Sequence, residues 1–88
     1  MSAEILAKKY IATMERTLKK TLKKTDSIII EERCIKEIYG YVTAYLEDAK
    51  YFFDQKKFET SLTSIAYCEG LLDALKFLGA VKILDINQ

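Results

Sequence analysis

An apolar series with a seven-residue repeat runs through the middle of this chain and then changes phase. Its first members are Ile28, Ile35, Val42 and Ala49. Further along, the apolar positions are Phe58, Ile65 and Leu72, two residues later than the same repeat would place them. A shift of two matches neither of the insertions, of three or four residues, that a continuous coiled coil accommodates. The sequence therefore predicts two helices with a break near residues 55–57, folded as an antiparallel hairpin.

The scarcity of helix-breaking residues extends this interpretation to the whole chain. There is no proline, and the three glycines are Gly40, Gly70 and Gly79. This composition favours a few long helices over many short strands. Apolar periodicity places the helices at about residues 2–24, 28–54 and 58–78. We therefore expect one all-α domain over residues 1–88, a three-helix up-down-up antiparallel bundle.

The end of the third helix carries its own signals. Gly79 stands where a left-handed residue would end the helix, with Ala80 or Val81 folding back onto Leu75. The tail at residues 80–88 is apolar and short, which fits a segment packed across the bundle, an edge strand or a frayed end.

The second helix carries more apolar surface than two short neighbours cover. Beside the series that contains Val42, it has two further apolar rows, Ile38, Tyr45 and Phe52, and Tyr39, Leu46 and Phe53. The first helix offers one stripe, formed by Ala7, Ile11, Met14, Leu18 and Leu22. A helix that is apolar over so much of its circumference needs two neighbours, from its own chain or from another subunit. We expect a bundle that association of two copies can complete, and hence a homo-oligomer such as a homodimer.

A resemblance to a known family lies in residues 45–79, YLEDAKYFFDQKKFETSLTSIAYCEGLLDALKFLG. An Asp-Ala-x-Tyr-Phe block is followed by a short polar turn with an aromatic residue and then by an Ala-Tyr-x-x-Gly-Leu-Leu-Asp-Ala block. This pattern is similar to that of an archaeal family, domain of unknown function 357. The matching residues are Asp48, Ala49, Tyr51, Phe52, Phe58, Ile65, Tyr67, Gly70, Leu71, Leu72, Asp73 and Ala74.

The resemblance implies a small helical bundle with no assigned reaction, and an archaeal source. Family members tend to carry a Gly-Asp pair before the turn aromatic, which supplies a left-handed stop and a helix N-cap. Lys56 and Lys57 occupy those places here. A less sharply defined hairpin tip is therefore expected.

Composition excludes several kinds of site. The chain has no histidine, so it has no imidazole catalyst and none of the usual Cys/His zinc sites. It also lacks a glycine-rich phosphate loop and a Cys-x-x-Cys pair. Cys34 and Cys68 are offset by about 15 Å along the predicted hairpin, at about 1.5 Å per residue, which is too far for a disulfide. We expect both cysteines to be small core residues with reduced thiols.

The location of the protein follows from charge and hydropathy. The uncharged runs are far shorter than the roughly 20 residues of a membrane-spanning helix. Glu4, Lys8 and Lys9 interrupt the segment in which a secretory signal would be uniformly apolar. We therefore expect a cytoplasmic protein without a membrane partner.

Charge is divided unevenly between the two parts of the chain. The first 24 residues carry a net charge of +5 and the remainder carries −4. The basic residues of the first part are Lys8, Lys9, Arg16, Lys19, Lys20, Lys23 and Lys24. Such a surface can bind nucleic-acid phosphates, or it can meet acidic groups inside the bundle or between subunits. Because the whole chain has only two arginines, we favour the second interpretation.

Acidic residues on the third helix give another candidate site. Glu69 and Asp73 stand four residues apart, a spacing at which carboxylates can hold a divalent metal between helices. The set of ligands is incomplete, so no metal or cofactor is predicted. Counting along the helices places Glu69 level with Lys9, and we expect a structural ion pair between Glu69 and Lys9 or its neighbour Lys8.

Four residues on the outer faces are the candidates for an interface. Tyr51 and Tyr67 are not accounted for by the predicted core, and Gly40 and Gly70 leave room for another helix to approach closely. We therefore expect first a non-enzymatic helical interaction or assembly module. The alternatives are a nucleic-acid-associated accessory protein that uses the basic first helix, and a metal- or nucleotide-binding enzyme built on acidic residues. No catalytic residue is assigned.

Overall fold

The structure, a computed structural model, describes residues 2–24 and 26–84 and contains three α-helices. Helix α1 spans Ala3–Lys19, α2 spans Glu32–Asp54 and α3 spans Phe58–Phe77. These described residues include no β-strand. The prediction of an all-α fold with three helices is confirmed. The last four residues of the predicted tail, 85–88, lie outside the described residues.

Two helices are shorter than the apolar periodicity predicts. α1 ends at Lys19, and α2 begins four residues later than expected. Beyond α1, a continued helix would bring like charges together at four-residue spacing, Lys19 with Lys23 and Lys20 with Lys24, which is unfavourable. Before α2, residues 28–30 are three consecutive isoleucines, whose β-branched side chains lower helix propensity.

The hairpin of α2 and α3 is held by a narrow line of buried side chains, which we call the seam. It consists of Val42 and Ala49 from α2 and Ser61, Cys68 and Leu75 from α3. The Ser61 hydroxyl donates to the carbonyl oxygen of Ala49 at 2.8 Å, and the Cys68 thiol donates to that of Val42 at 3.3 Å. The partners advance in opposite directions along the two helices, so α2 and α3 are antiparallel, as predicted.

The innermost line of α3 differs from the predicted one. Ser61, Cys68 and Leu75 are buried, whereas two members of the predicted series, Ile65 and Leu72, are only half-buried. The third member, Phe58, is 56% exposed. One reason is steric, because the short side chains of Ser61 and Cys68 let the helices approach closely. The other is polar, because their hydroxyl and thiol groups donate hydrogen bonds to carbonyl oxygens of α2. The larger apolar residues of α3 therefore flank the seam.

The hairpin tip is sharply defined despite its lysines. Lys56 has a φ of 62°, in the left-handed region. Its amide donates to the carbonyl oxygen of Phe53 at 2.9 Å, and the amide of Lys57 donates to that of Phe52 at 2.8 Å. These are the two hydrogen bonds of a Schellman motif. The expectation of a loosely defined tip was wrong, because the backbone bonds hold a lysine where glycine is usual.

The same motif ends α3, as predicted. Gly79 has a φ of 75°. Its amide donates to the carbonyl oxygen of Lys76 at 3.0 Å, and the amide of Ala80 donates to the carbonyl oxygen of Leu75 at 2.9 Å. Ala80 and Val81 are half-buried against this end of the hairpin. The described part of the tail, residues 80–84, forms no strand.

Helix α1 lies apart from the hairpin. Within the described residues, every helix-packing contact joins α2 to α3 and none involves α1. The radius of gyration is 16.2 Å, against about 12 Å for a compact chain of this length. The ion pair predicted between Glu69 and Lys9 is therefore not formed within the chain. The Lys9 ammonium instead lies 5.7 Å from the centre of the Tyr10 ring.

Replacing Lys56 with glycine is expected to stabilise the protein by about 0.5–1 kcal/mol, because glycine adopts the left-handed conformation without the clash that Cβ introduces. Thermal unfolding followed by circular dichroism should show a midpoint several degrees higher. Lys50→Gly in the interior of α2 is the matched control and should lose about 1 kcal/mol. Equal losses in the two variants would contradict the left-handed turn at Lys56.

Candidate functional site

One side of the seam exposes a contiguous apolar surface, which we call the apolar face. Leu46, Phe53 and Ile65 line one cleft of this surface, and Phe58 contacts Phe53. Helical spacing places Leu62 between Phe58 and Ile65 on the same side of α3. Phe53 is 60% exposed and Leu62 is 71% exposed. The rings of Phe53 and Phe58 meet edge to face across the tip, with centroids 5.3 Å apart. Large apolar side chains clustered in this way mark a surface that binds another molecule, whereas single exposed ones do not.

A cleft of about 360 Å³ lies in the apolar face. Leu46, Phe53 and Ile65 line it, and the charged groups at its edge are Lys50 and Asp54. The Lys50 ammonium already lies 3.4 Å from the Glu47 carboxylate. Among the described residues, no buried side-chain nitrogen or oxygen lacks a hydrogen-bond partner. The chemistry that this surface offers is burial of apolar groups, with few polar contacts to orient them.

The opposite side of the seam carries a second surface, which we call the tyrosine face. It is formed by Tyr41, Tyr45, Tyr67 and Leu71, around a cleft of about 300 Å³. The rings of Tyr45 and Tyr67 lie 4.5 Å apart between centroids, tilted by 34°. This pair joins α2 to α3 outside the seam and leaves Tyr67 more than half exposed.

The four residues predicted as an interface do not form one surface. Tyr67 and Gly70 line a shallow cleft together beside the tyrosine face. Gly40 lies on the outer side of α2, about 160° around the helix from Val42, and Tyr51 lies on that side as well. A Cβ atom added to Gly40 or Gly70 would meet nothing within 4 Å. Neither glycine therefore serves a close helix contact within the chain, and their role at an interface stays a prediction.

The predicted basic surface is fully exposed to solvent. Lys8, Lys9, Arg16 and Lys19 belong to α1, and the remaining three, Lys20, Lys23 and Lys24, follow it. None of these seven residues takes part in the ion pairs of the described chain, which are Arg33–Glu31, Lys36–Glu32 and Lys50–Glu47. Those pairs are exposed and contribute little to stability. Among the described residues, the basic groups of the first part of the chain therefore have no partner in an ion pair.

The other candidate groups are dispersed. Glu69 and Asp73 are exposed on α3, and the described residues contain no group of three potential metal ligands. Cys34 is half-buried and Cys68 is buried, and both are free thiols, as predicted. None of the described helices is long and apolar enough to cross a membrane.

Sequence reasoning missed two parts of this arrangement. It placed Phe58 in the apolar series that packs in the hairpin, and it did not identify Ser61 as a buried hydrogen-bond donor. A signal for both was present, since Ser61, Cys68 and Leu75 repeat every seven residues. Small residues at Ser61 and Cys68, beside a line of large ones, indicate close helix packing with the large ones displaced sideways.

Comparison with known proteins gives one match. The family model described as Protein of unknown function (DUF357) matches residues 9–81, which include most of α1 and all of α2 and α3. No curated protein matches the chain significantly. No solved structure does so either.

The two thiols are expected to differ strongly in reactivity, because Cys34 is half-buried and Cys68 is buried with its thiol bonded to the Val42 carbonyl. A chromogenic disulfide reagent should modify Cys34 rapidly in the folded protein and Cys68 only as the hairpin opens. The Cys34→Ser variant isolates the slow reaction. Rapid modification of that variant without denaturant would contradict the burial of Cys68.

Proposed function

The chain belongs to the DUF357 family, and from that premise we propose that it is a non-enzymatic helical interaction and assembly module. The observation that carries the proposal is the apolar face. Five large apolar side chains from two helices form it, and Phe53, Phe58 and Leu62 are more than half exposed in the described structure. Its partner is another helical protein surface, and we favour a homo-oligomer, with a homodimer as the simplest form.

The amount of exposed surface supports the proposal. The chain has a mass of 10.1 kDa and exposes 8321 Å². A folded monomer of that mass exposes about 5,300 Å². The excess is about 3,000 Å² per chain, or about 6,000 Å² for two chains, which is at the upper end of the total of 2,000–5,000 Å² or more that an obligate interface buries.

The thinness of the seam supports it as well. Among residues 2–24 and 26–84, Leu75 is the only large side chain that is fully buried. Two helices that share one line of buried residues have little hydrophobic stabilisation to oppose the loss of conformational entropy. Covering the apolar face would supply the missing core, so that assembly and stability are linked.

The setting that we propose is the reducing cytoplasm. The support is the pair of free thiols, which do not approach each other in the hairpin. An archaeal source stays an expectation from the family resemblance.

Assembly is expected to depend on the apolar face. Multi-angle light scattering of the full chain, from micromolar to millimolar concentration, should show a mass above that of one chain. Leu62→Glu should shift the mass toward the monomer, because a carboxylate would have to be desolvated in the contact. Thr63→Glu, one residue away on an outward side of α3, is the matched control and should assemble like the parent. A strictly monomeric parent would exclude self-assembly.

A second candidate function is association with nucleic acid through the basic residues that belong to α1 or follow it. The observation in its favour is that all seven basic residues are exposed and take part in none of the described ion pairs. Lysines that contact phosphates release counterions, so the binding would be electrostatic. The acidic residues offer no comparable observation in favour of a metal- or nucleotide-binding enzyme.

If this second function holds, binding to mixed RNA or duplex DNA should weaken steeply as salt rises. A variant in which Lys19, Lys20, Lys23 and Lys24 are replaced by glutamine should bind more weakly and show a flatter dependence on salt. Fluorescence anisotropy at several salt concentrations measures both quantities. No binding at low ionic strength would remove this function.

A further inference from the structure

We propose that the apolar face is covered by α1 of a second copy, so that two chains exchange their first helices. This proposal rests on the proposed assembly function and names the segment that carries it out. Exchange of an identical element between protomers needs no new binding surface, because each chain supplies both the helix and its receptor. The arrangement is symmetric and closes at two chains.

Helix α1 has the shape that the apolar face needs. The large members of its stripe within the helix, Ile11, Met14 and Leu18, are more than half exposed, and so is Tyr10 beside them. Together with Ala7, the stripe runs about 17 Å along the helix at about 1.5 Å per residue. The α3 edge of the apolar face, continued to Leu72, runs about 21 Å on the same measure. The two surfaces match in length and in apolar character.

Charge favours contact between α1 and a hairpin. The first 24 residues carry +5 and the rest of the chain carries −4. On α3, Glu69 and Asp73 lie next to the apolar face, beyond Ile65 and toward the end of the helix. The exposed ammonium groups of Lys8 and Lys9 are suitable partners for them. The ion pair that the sequence predicts between Lys9 and Glu69, absent within one chain, would then form between two chains.

The same charges disfavour a symmetric contact between the first helices of two copies. Two copies of α1 packed on each other would bring together two segments of +5 each, and like charges at close range oppose association. In an exchange, the basic segment of each chain meets the acidic hairpin of the other chain, so the favourable pairing occurs twice. It also covers both exposed apolar surfaces of each chain, the stripe of α1 and the apolar face, in one assembly.

Within its own chain, α1 is separated from the hairpin by residues 20–31, of which the described ones, 20–24 and 26–31, contain no helix. It makes no helix-packing contact there. A second copy supplies the same receptor surface without that connection. Two reciprocal contacts also bury twice the area of one, which agrees with the large excess of exposed surface per chain.

A complementation experiment tests the exchange with full-length chains. Leu18→Glu disables the helix, and Leu62→Glu disables the face. Each variant alone should lose dimer affinity by about 30-fold or more, as at interface positions that contribute strongly. Mixed together they should form a dimer with one chain of each kind, because one intact helix still meets one intact face. Native mass spectrometry with one chain labelled in ¹⁵N identifies that species.

Matched controls separate the proposal from a general effect of added charge. Thr13→Glu lies on the side of α1 away from the stripe, and Thr63→Glu lies on an outward side of α3; both should dimerise like the parent. Far-ultraviolet circular dichroism should be similar for all variants, since Leu18 and Leu62 are exposed in the single chain. A control that dissociates as strongly as Leu62→Glu would overturn the assignment of the contact.

The outcomes distinguish the exchange from the assembly function on which it rests. If the parent is monomeric, self-assembly fails and the exchange fails with it. If the parent dimerises but either Leu18→Glu or Leu62→Glu dimerises equally well, assembly stands and the exchange is wrong. If both variants dissociate and their mixture forms no mixed dimer, α1 does not dock on the apolar face of the other chain, and the exchange is again wrong.

A zero-length carbodiimide crosslink gives an independent readout. In an equal mixture of ¹⁴N and ¹⁵N chains, peptides that join Lys8 or Lys9 to Glu69 or Asp73 should include hybrids with one light and one heavy half. Hybrid peptides support the exchange. Crosslinks between these residues that occur only within one chain would show that α1 packs on its own hairpin, and would overturn it.

Discussion

Close approach of α2 and α3 at small residues is the constraint on which the rest of the structure depends. Ser61 meets the backbone at Ala49, and Cys68 meets it at Val42, each through a hydrogen bond to a carbonyl oxygen. Because these side chains are short, the helices come together along a narrow line. Apart from Leu75, the large apolar residues of α3 lie beside that line and not in it. The apolar face and the tyrosine face are both consequences of this packing.

The backbone on either side of α3 is held by the same hydrogen-bonded motif. A Schellman motif ends α2 at Lys56, and another ends α3 at Gly79. The first holds Lys56 in the left-handed backbone conformation, which is unfavourable for a residue with a Cβ atom. Closing the hairpin therefore outweighs this local free-energy cost. The hairpin is therefore well specified as a local unit even though its core is thin.

The thin core connects the fold to the proposed function. A helix pair that buries one line of side chains leaves most of its apolar surface in water, and the first helix, with an apolar stripe of its own, lies apart from it. Each feature by itself would be a source of instability. Together they are complementary in length, apolarity and charge, which is why we regard them as the two halves of one contact.

The sequence by itself determined the all-α class, the break near Lys56, the antiparallel hairpin and the cap at Gly79, because periodicity, phase and glycine placement act over a few turns of one helix. It also indicated free thiols, since helical rise separates Cys34 from Cys68. Only the tertiary structure decided that Ser61 is buried while Phe58 and Leu62 are exposed, and that α1 does not pack on its own hairpin. Those outcomes depend on how closely two helices approach and on which of several apolar rows gains a neighbour. Both depend on competition among contacts between residues that are distant in sequence. A helical repeat carries no information about such contacts.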